Sequence, residues 1–217
     1  MSLPFTRAQF FDVFAAYNTS LWPFAMALWL LTVGAVVILG RGNRGAGRLF
    51  SLLLAIHWAW AALAYHVAFF SSINPAAWLF AALFLVQAAL FMWFGVLRAN
   101  LRCSPGQSFR HYVAWIFVGY SLLYPAIVWA EGNAYPRLPT FGVPCPTTVL
   151  TIGFLLAADP PVPRVLPLIP IVWAFIGGSA AFLLGVHADV MLLAAGICLS
   201  ASVISGAFVR RVLSRPA

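Results

Sequence analysis

The chain has 217 residues, of which 64% are hydrophobic and 7% are charged, with a formal net charge of +8. A soluble domain carries about 25% charged residues, so this composition excludes one and predicts a membrane protein whose main partner is the lipid bilayer. The basic residues are all arginines placed between apolar stretches, which is the pattern of membrane topology signals and excludes a nucleic-acid-binding surface.

The first predicted element is a short helix over residues 1–19 that lies on the outer membrane surface. Thr6 and Gln9 have the spacing of a capping box, and Phe5 is placed to pack on Phe10. Aromatic residues on one side of such a helix are typical of an interfacial element.

Seven apolar stretches follow, and most are near the roughly 20 residues that a helix needs to cross a bilayer. Alternate gaps between them are rich in arginine, which places the N-terminus outside and the C-terminus inside. The sequence therefore predicts an all-α fold, a polytopic transmembrane helical bundle that forms one membrane domain over residues 1–217 in the bacterial cytoplasmic membrane. The predicted spans are residues 21–39, 49–70, 76–97, 112–130, 147–158, 166–185 and 188–209.

The fifth stretch is too short to cross the bilayer alone, because twelve helical residues extend only about 18 Å. We expect the preceding proline-rich segment to enter the membrane and complete the crossing; the alternative is an external loop beside a short span. Broken helices often carry transporter binding sites. The candidate binding residues here are Pro139, Thr140, Phe141, Gly142, Cys145, Pro146, Thr147 and Thr148.

Polar and titratable residues gather at the predicted outer ends of several spans. Glu131 is a candidate binding residue at the end of the fourth span. Thiolate and imidazole suit zinc or copper, so a metal ion is a candidate cofactor or cargo. The alternative is that these are interfacial residues that cap helices or snorkel. The candidate metal ligands are Cys145, His66, His187 and Asp189.

His57 lies close to the middle of the second predicted span, where it could be a haem ligand, a proton relay or a packed core residue. His57 and His66 are nine residues apart, which turns them about 180° from each other on a helix. The two histidines therefore cannot face one site. We expect His57 to form a packed, hydrogen-bonded core pair with Trp60 on the same face, and both are candidate binding residues.

Several short motifs stand out along the chain: Tyr17-Asn18 with Trp22-Pro23, His57-Trp58 with Tyr65-His66, Ile73-Asn74-Pro75-Ala76, Tyr135-Pro136, and the run from Pro139 to Thr148. On these motifs the chain resembles an uncharacterised family of bacterial polytopic membrane proteins along most of its length. Those proteins often have Gly-His before the Tyr-Pro pair, where this chain has Gly132-Asn133-Ala134. The resemblance implies an architecture and a hot spot at Pro139–Thr148, without an activity.

Three classes of function remain open. The sequence has no hydrolase, metalloprotease or nucleotide-binding motif, which disfavours an enzyme. The broken fifth span favours a permease for a small solute or metal ion. The alternatives are a non-transporting accessory or receptor-like subunit and a metal- or haem-dependent membrane oxidoreductase. The oligomeric state is open, with a homo-oligomer among the alternatives.

Overall fold

The structure, a computed structural model, describes residues 4–42, 45–103, 106, 108–159 and 162–213, with side chains as far as residue 206. The described residues contain helices and no strand, which confirms the all-α prediction. Two helices continue as π-helix, over Ala61–Val67 after the second and Phe91–Leu97 after the third. The helices are α1 (Arg7–Gly40), α2 (Ala46–Trp60), α3 (Ala77–Leu90), α4 (Phe109–Ala130), α5 (Pro144–Ala157), α6 (Leu168–Leu184) and α7 (Val190–Leu213).

Five helical segments are long and apolar enough to cross a membrane, and α5 and α6 are shorter apolar helices. Each predicted span therefore contains a helix, which fits a helical membrane protein. The number of spans and their orientation stay predictions. The five long segments are Arg7–Gly40, Ala46–Ser72, Ala77–Leu97, Phe109–Ala130 and His187–Gly206.

The first helix differs from its prediction, because α1 is continuous from Arg7 to Gly40. The predicted capping box is confirmed: Gln9 donates its N–H to the Thr6 hydroxyl at 3.2 Å, and its side chain accepts from the Thr6 N–H at 2.8 Å. The predicted boundary near residue 20 is not a helix end. The Thr19 hydroxyl donates to the Ala15 carbonyl at 2.8 Å inside the helix, and Pro23 removes only one backbone donor.

The short helix α5 lies at the centre of the bundle and contacts α2, α4, α6 and α7. All of its residues except Cys145 are buried. A Cβ on Gly153 would lie 2.9 Å from the carbonyl oxygen of Ala114, so the absent side chain lets α5 approach α4 closely. A helix that is apolar on every side suits such a central position. Its short length is tolerated because other helices surround it.

The chain between α4 and α5, which we call the 131–143 segment, ends buried in the protein. Leu138, Pro139, Phe141, Gly142 and Val143 are buried. Non-helical backbone at this depth needs protein around it, because its polar groups must find partners away from water. Its entry into the membrane stays a prediction. Helix α5 begins at Pro144, three residues earlier than the predicted fifth span.

Candidate functional site

The 131–143 segment is held against α1 by two neighbouring side chains. The Asn18 amide donates to the carbonyls of Pro136 and Leu138 at 2.7 and 2.8 Å, and its oxygen accepts from the Thr140 hydroxyl at 2.6 Å. The Tyr17 hydroxyl donates to the Phe141 carbonyl at 3.1 Å. Thus α1 supplies the partners that this irregular backbone would otherwise lack.

Gly142 lies next to the Tyr17 side chain that makes one of these contacts. Its φ of +81° lies in the left-handed region, which glycine adopts without the steric cost of a Cβ. A Cβ at this position would lie 2.9 Å from both the Trp60 indole nitrogen and the Tyr17 hydroxyl, which themselves share a 2.8 Å hydrogen bond. Trp60, predicted as a binding residue, therefore supports the segment through Tyr17.

His57 is fully buried and has partners on both ring nitrogens. Nε2 lies 2.9 Å from the Thr32 hydroxyl, and Nδ1 lies 3.5 Å from the Thr147 hydroxyl. Since the Thr32 proton goes to the Leu28 carbonyl at 2.7 Å, Nε2 must be the donor to Thr32. The expected hydrogen bond between His57 and Trp60 is wrong, because His57 bonds to these two threonines instead. A ring whose nitrogens are both bonded favours a packed core residue over a haem ligand or a proton relay.

The hydroxyls of the candidate residues in α5 are likewise used for support. Thr148 donates to the Pro144 carbonyl at 2.9 Å, within the helix. The Pro146 carbonyl accepts from the Ser121 hydroxyl of α4 at 2.8 Å. These two residues, with Thr147, therefore fix α5 in place and leave little hydrogen-bonding capacity for a ligand.

A cavity of 140 Å³ lies where the start of α5 meets α1, α6 and the π-helical end of α2; we call it the His66 cavity. Three predicted metal ligands share its lining: His66, Cys145 and Asp189. The rest of the lining is mainly aromatic and aliphatic. Its ring-bearing members include Phe5, Phe10, Phe14, Tyr65, Phe70, Phe80 and Trp173.

Two polar side chains of the His66 cavity have no partner among the described residues. His66 is 1% exposed, and neither of its ring nitrogens forms a hydrogen bond. The indole nitrogen of Trp173, a residue that is 8% exposed, is also unpaired. Aromatic rings surround the imidazole, with ring centroids at 4.9 Å for Phe84 and 5.3 Å for both Tyr65 and Trp173. Buried polar groups are normally paired, so two neighbouring exceptions mark this cavity.

Asp189 is buried at the junction of α6 and α7. It accepts a hydrogen bond from the Tyr124 hydroxyl at 2.5 Å, and Cys145 lines the same cavity. Tyr120, one turn before Tyr124 on α4, donates to the Ala188 carbonyl at 2.8 Å. The carboxylate therefore has a neutral donor in Tyr124, and it forms no ion pair with the described cationic side chains.

The Cys145 thiol and the Trp173 indole lie close to Gly177 of α6, which has no side chain. A Cβ on Gly177 would lie 3.4 Å from the Trp173 indole nitrogen and 3.9 Å from the Cys145 sulfur. The cavity thus gathers a carboxylate, a thiol, an imidazole and an indole from three separate helices and the α6–α7 turn.

The four predicted metal ligands do not come together as a coordination set. Within the described part of the chain, no group of three His, Cys, Asp or Glu residues is placed to hold a metal ion. His187 is exposed and lies outside the cavity lining, and Glu131 is also exposed. This geometry gives no support to the predicted metal site. His66, Cys145 and Asp189, which the sequence placed at a similar depth, do line one cavity.

A second, larger space of 420 Å³ lies between α1 and α4, and we call it the α1–α4 groove. Its lining is mainly apolar and includes Trp22, Met26 and Leu123. Thr140 and Phe141 line this groove, whereas Pro139 and Cys145 line the His66 cavity. The predicted binding segment therefore separates two cavities.

Sequence reasoning missed three residues that shape the site: Asn18, Tyr124 and Trp173. Tyr124 had a usable signal, because Tyr120 and Tyr124 place two hydroxyls one turn apart on an apolar helix. Asn18 had a signal only as part of the Tyr17-Asn18 motif of the resemblance, and Trp173 had none, since a tryptophan within a span is common in membrane helices.

The fold and composition fit a helical membrane protein, with an irregular segment before a short central helix and a mainly apolar cavity that contains a few polar side chains. The chain matches the model of a family of unknown function, DUF6064, over residues 7–214, and it belongs to that family. No curated protein and no solved structure matches the chain.

Proposed function

We propose that this protein is a small-solute permease of the bacterial cytoplasmic membrane and that the His66 cavity is its solute-binding site. The observation that carries the proposal is the pair of unpartnered buried groups, His66 and Trp173, in one cavity. An unpaired buried polar group costs about 1–3 kcal/mol, and a bound solute with suitable polar atoms would recover that cost.

The position of the cavity beside an interrupted helix supports transport. Transporter sites are typically built where a helix is broken, because the free backbone and a helix terminus meet there. Here the 131–143 segment leads directly into Cys145 and the start of α5, so the cavity lies against such a break.

The α1–α4 groove provides the second element of the proposal. Thr140 and Phe141 of the 131–143 segment line this groove, and Pro139 and Val143 of the same segment line the His66 cavity. Two glycines with positive φ, Gly132 and Gly142, lie in the segment and are suited to act as hinges. We expect the segment to move during transport and to join the two spaces.

Light-scattering assays on liposomes containing the purified protein test the proposal. The probes are glycerol, urea, ethylene glycol, ethanolamine hydrochloride and sodium acetate, each compared with protein-free liposomes. We expect at least one probe to enter faster with the protein and His66→Phe to slow it about tenfold, the effect of about 1.4 kcal/mol of lost binding.

The matched control is Trp129→Phe, since Trp129 is 69% exposed and lies outside both cavities. This variant should transport like the wild type. Entry of every probe at the protein-free rate would contradict the permease, and saturable binding without entry would instead favour a receptor-like subunit.

A further inference from the structure

The charge of the His66 cavity indicates the kind of solute it takes. Its described lining contains one carboxylate, that of Asp189, and no arginine or lysine. Burying an ionised carboxylate is costly unless a cation or several hydrogen bonds compensate. The Tyr124 hydroxyl supplies one neutral donor, and no described cationic side chain pairs with the carboxylate, so a cation could come only from a bound ligand.

The ring lining favours an organic cation over a metal ion. Aromatic faces attract ammonium groups through their quadrupoles, and aromatic boxes are a common way to bind them. The His66 cavity is lined by rings of Phe10, Phe14, Tyr65, Phe70 and Trp173, among others. A metal ion would need several ligands at once, and the described His, Cys, Asp and Glu residues form no such group of three.

The two unpaired side chains require a further polar atom on the ligand. The Trp173 indole is a donor only, and a neutral His66 imidazole is a donor at one nitrogen and an acceptor at the other. A hydroxyl group both accepts and donates, so it can serve both residues. A carboxylate would accept from the same donors, but it would add a second negative charge near Asp189.

We infer that the His66 cavity binds a small amino alcohol, an ammonium ion that carries a hydroxyl group. Its ammonium group would pair with Asp189 among the aromatic rings, and its hydroxyl would bond to His66 and Trp173. The cavity volume of 140 Å³ suits a ligand of a few non-hydrogen atoms. This inference rests on the proposed function and specifies the solute class of the same site.

Calorimetric titration of the full-length protein in detergent tests the inference with four probes at one ionic strength. Ethanolamine carries both groups, propylamine lacks the hydroxyl, ethylene glycol lacks the charge and glycolate reverses it. We expect saturable binding of ethanolamine, about tenfold weaker binding of propylamine, and no saturable binding of ethylene glycol or glycolate.

Variants assign the effect to the cavity. Asp189→Asn keeps an acceptor for the Tyr124 hydroxyl but removes the charge, and it should weaken ethanolamine binding at least about tenfold. Trp173→Phe should reduce the preference for ethanolamine over propylamine. Glu131→Gln removes an exposed carboxylate outside the cavity and should bind like the wild type. A melting curve of each variant shows that it is folded.

Each result decides the inference. Preferential binding of ethylene glycol or glycolate would overturn the assignment of an amino alcohol as the ligand, while the cavity would still be a solute-binding site. Ethanolamine binding that is unchanged in Asp189→Asn would also overturn it. Failure of all four probes to bind would overturn it too, and the permease would then be judged separately by liposome uptake of the wider probe panel.

Discussion

The two sides of the 131–143 segment differ in how completely their polar groups are paired. On one side, His57 has a hydroxyl at each ring nitrogen, and Asn18 uses both ends of its amide. On the other side, His66 is equally buried and Trp173 is 8% exposed, and neither side chain has a hydrogen-bond partner among the described residues. The comparison teaches that burial alone does not distinguish the two histidines, whereas the presence or absence of hydrogen-bond partners does.

The two histidines make the contrast sharp because they belong to one helical segment. His57 lies in α2, and His66 follows in its π-helical continuation, Ala61–Val67. His57 turns toward Thr32 and Phe141, whereas His66 turns toward the rings of Phe84 and Trp173. The sequence-based expectation that they face different sites agrees with these contacts.

The largest loss of stability should come from removing the Asn18 hydrogen bonds that hold the 131–143 segment against α1. Asn18→Leu removes the donor to two buried loop carbonyls and the acceptor for Thr140. We expect the free energy of unfolding to fall by about 3 kcal/mol, since each unmade bond to a buried group costs about 1 kcal/mol or more. Denaturant titration in detergent micelles measures this. An exposed-site control, Trp129→Phe, should unfold like the wild type, and an equal loss in both variants would refute the anchor.

Replacement of each histidine by phenylalanine should change stability differently on the two sides of the 131–143 segment. His57→Phe leaves the hydroxyls of Thr32 and Thr147 without their ring partner and should destabilise the protein by about 2 kcal/mol. His66→Phe removes unpaired buried nitrogens that cost about 1–3 kcal/mol, so it should leave the protein as stable as the wild type or more stable. Melting curves of both variants provide the comparison, and equal destabilisation would remove the distinction between the sides.

Gly142 tests whether the segment must keep its path over Tyr17 and Trp60. Gly142→Ala places a Cβ at positive φ and 2.9 Å from two polar atoms. We expect a loss of about 1–2 kcal/mol in unfolding free energy, the cost of the left-handed conformation alone being in that range. Gly119→Ala in α4 is a matched control because a Cβ there has no neighbour within 4 Å. A Gly142→Ala variant as stable as this control would contradict the constraint.

The smallest expected effect compares two buried tryptophans. Trp58 donates its indole N–H to the Thr151 hydroxyl at 2.9 Å, whereas the Trp173 indole has no described acceptor. Trp58→Phe should therefore cost about 1 kcal/mol more than Trp173→Phe, the value of one buried hydrogen bond. The difference between their denaturation midpoints measures it, and a reversed order would show that Trp173 is bonded in the folded protein.

The sequence predicted the helices better than the site because helix length is set by the bilayer. The predicted third span, 76–97, corresponds to Ala77–Leu97, and the fourth, 112–130, to Phe109–Ala130. The boundary near residue 20 failed because the polar side chains of Asn18 and Thr19 find partners without ending the helix.

The sequence predicted that the site residues lie at a similar depth, but it did not predict which of them come into contact. His66, Cys145 and Asp189 lie at matched ends of their predicted spans, and the structure brings them to one cavity. Whether two such side chains touch depends on how each helix is rotated, which apolar periodicity fixes poorly when helices are apolar on every side. The predicted metal set therefore included the exposed His187 and omitted Trp173.

The most direct test of the central claim is an experimental density map of the protein in lipid with ethanolamine added. The account predicts non-protein density in the His66 cavity, within hydrogen-bonding distance of a His66 ring nitrogen and of the Trp173 indole nitrogen. A closed cavity in which both side chains bond to protein atoms would contradict it.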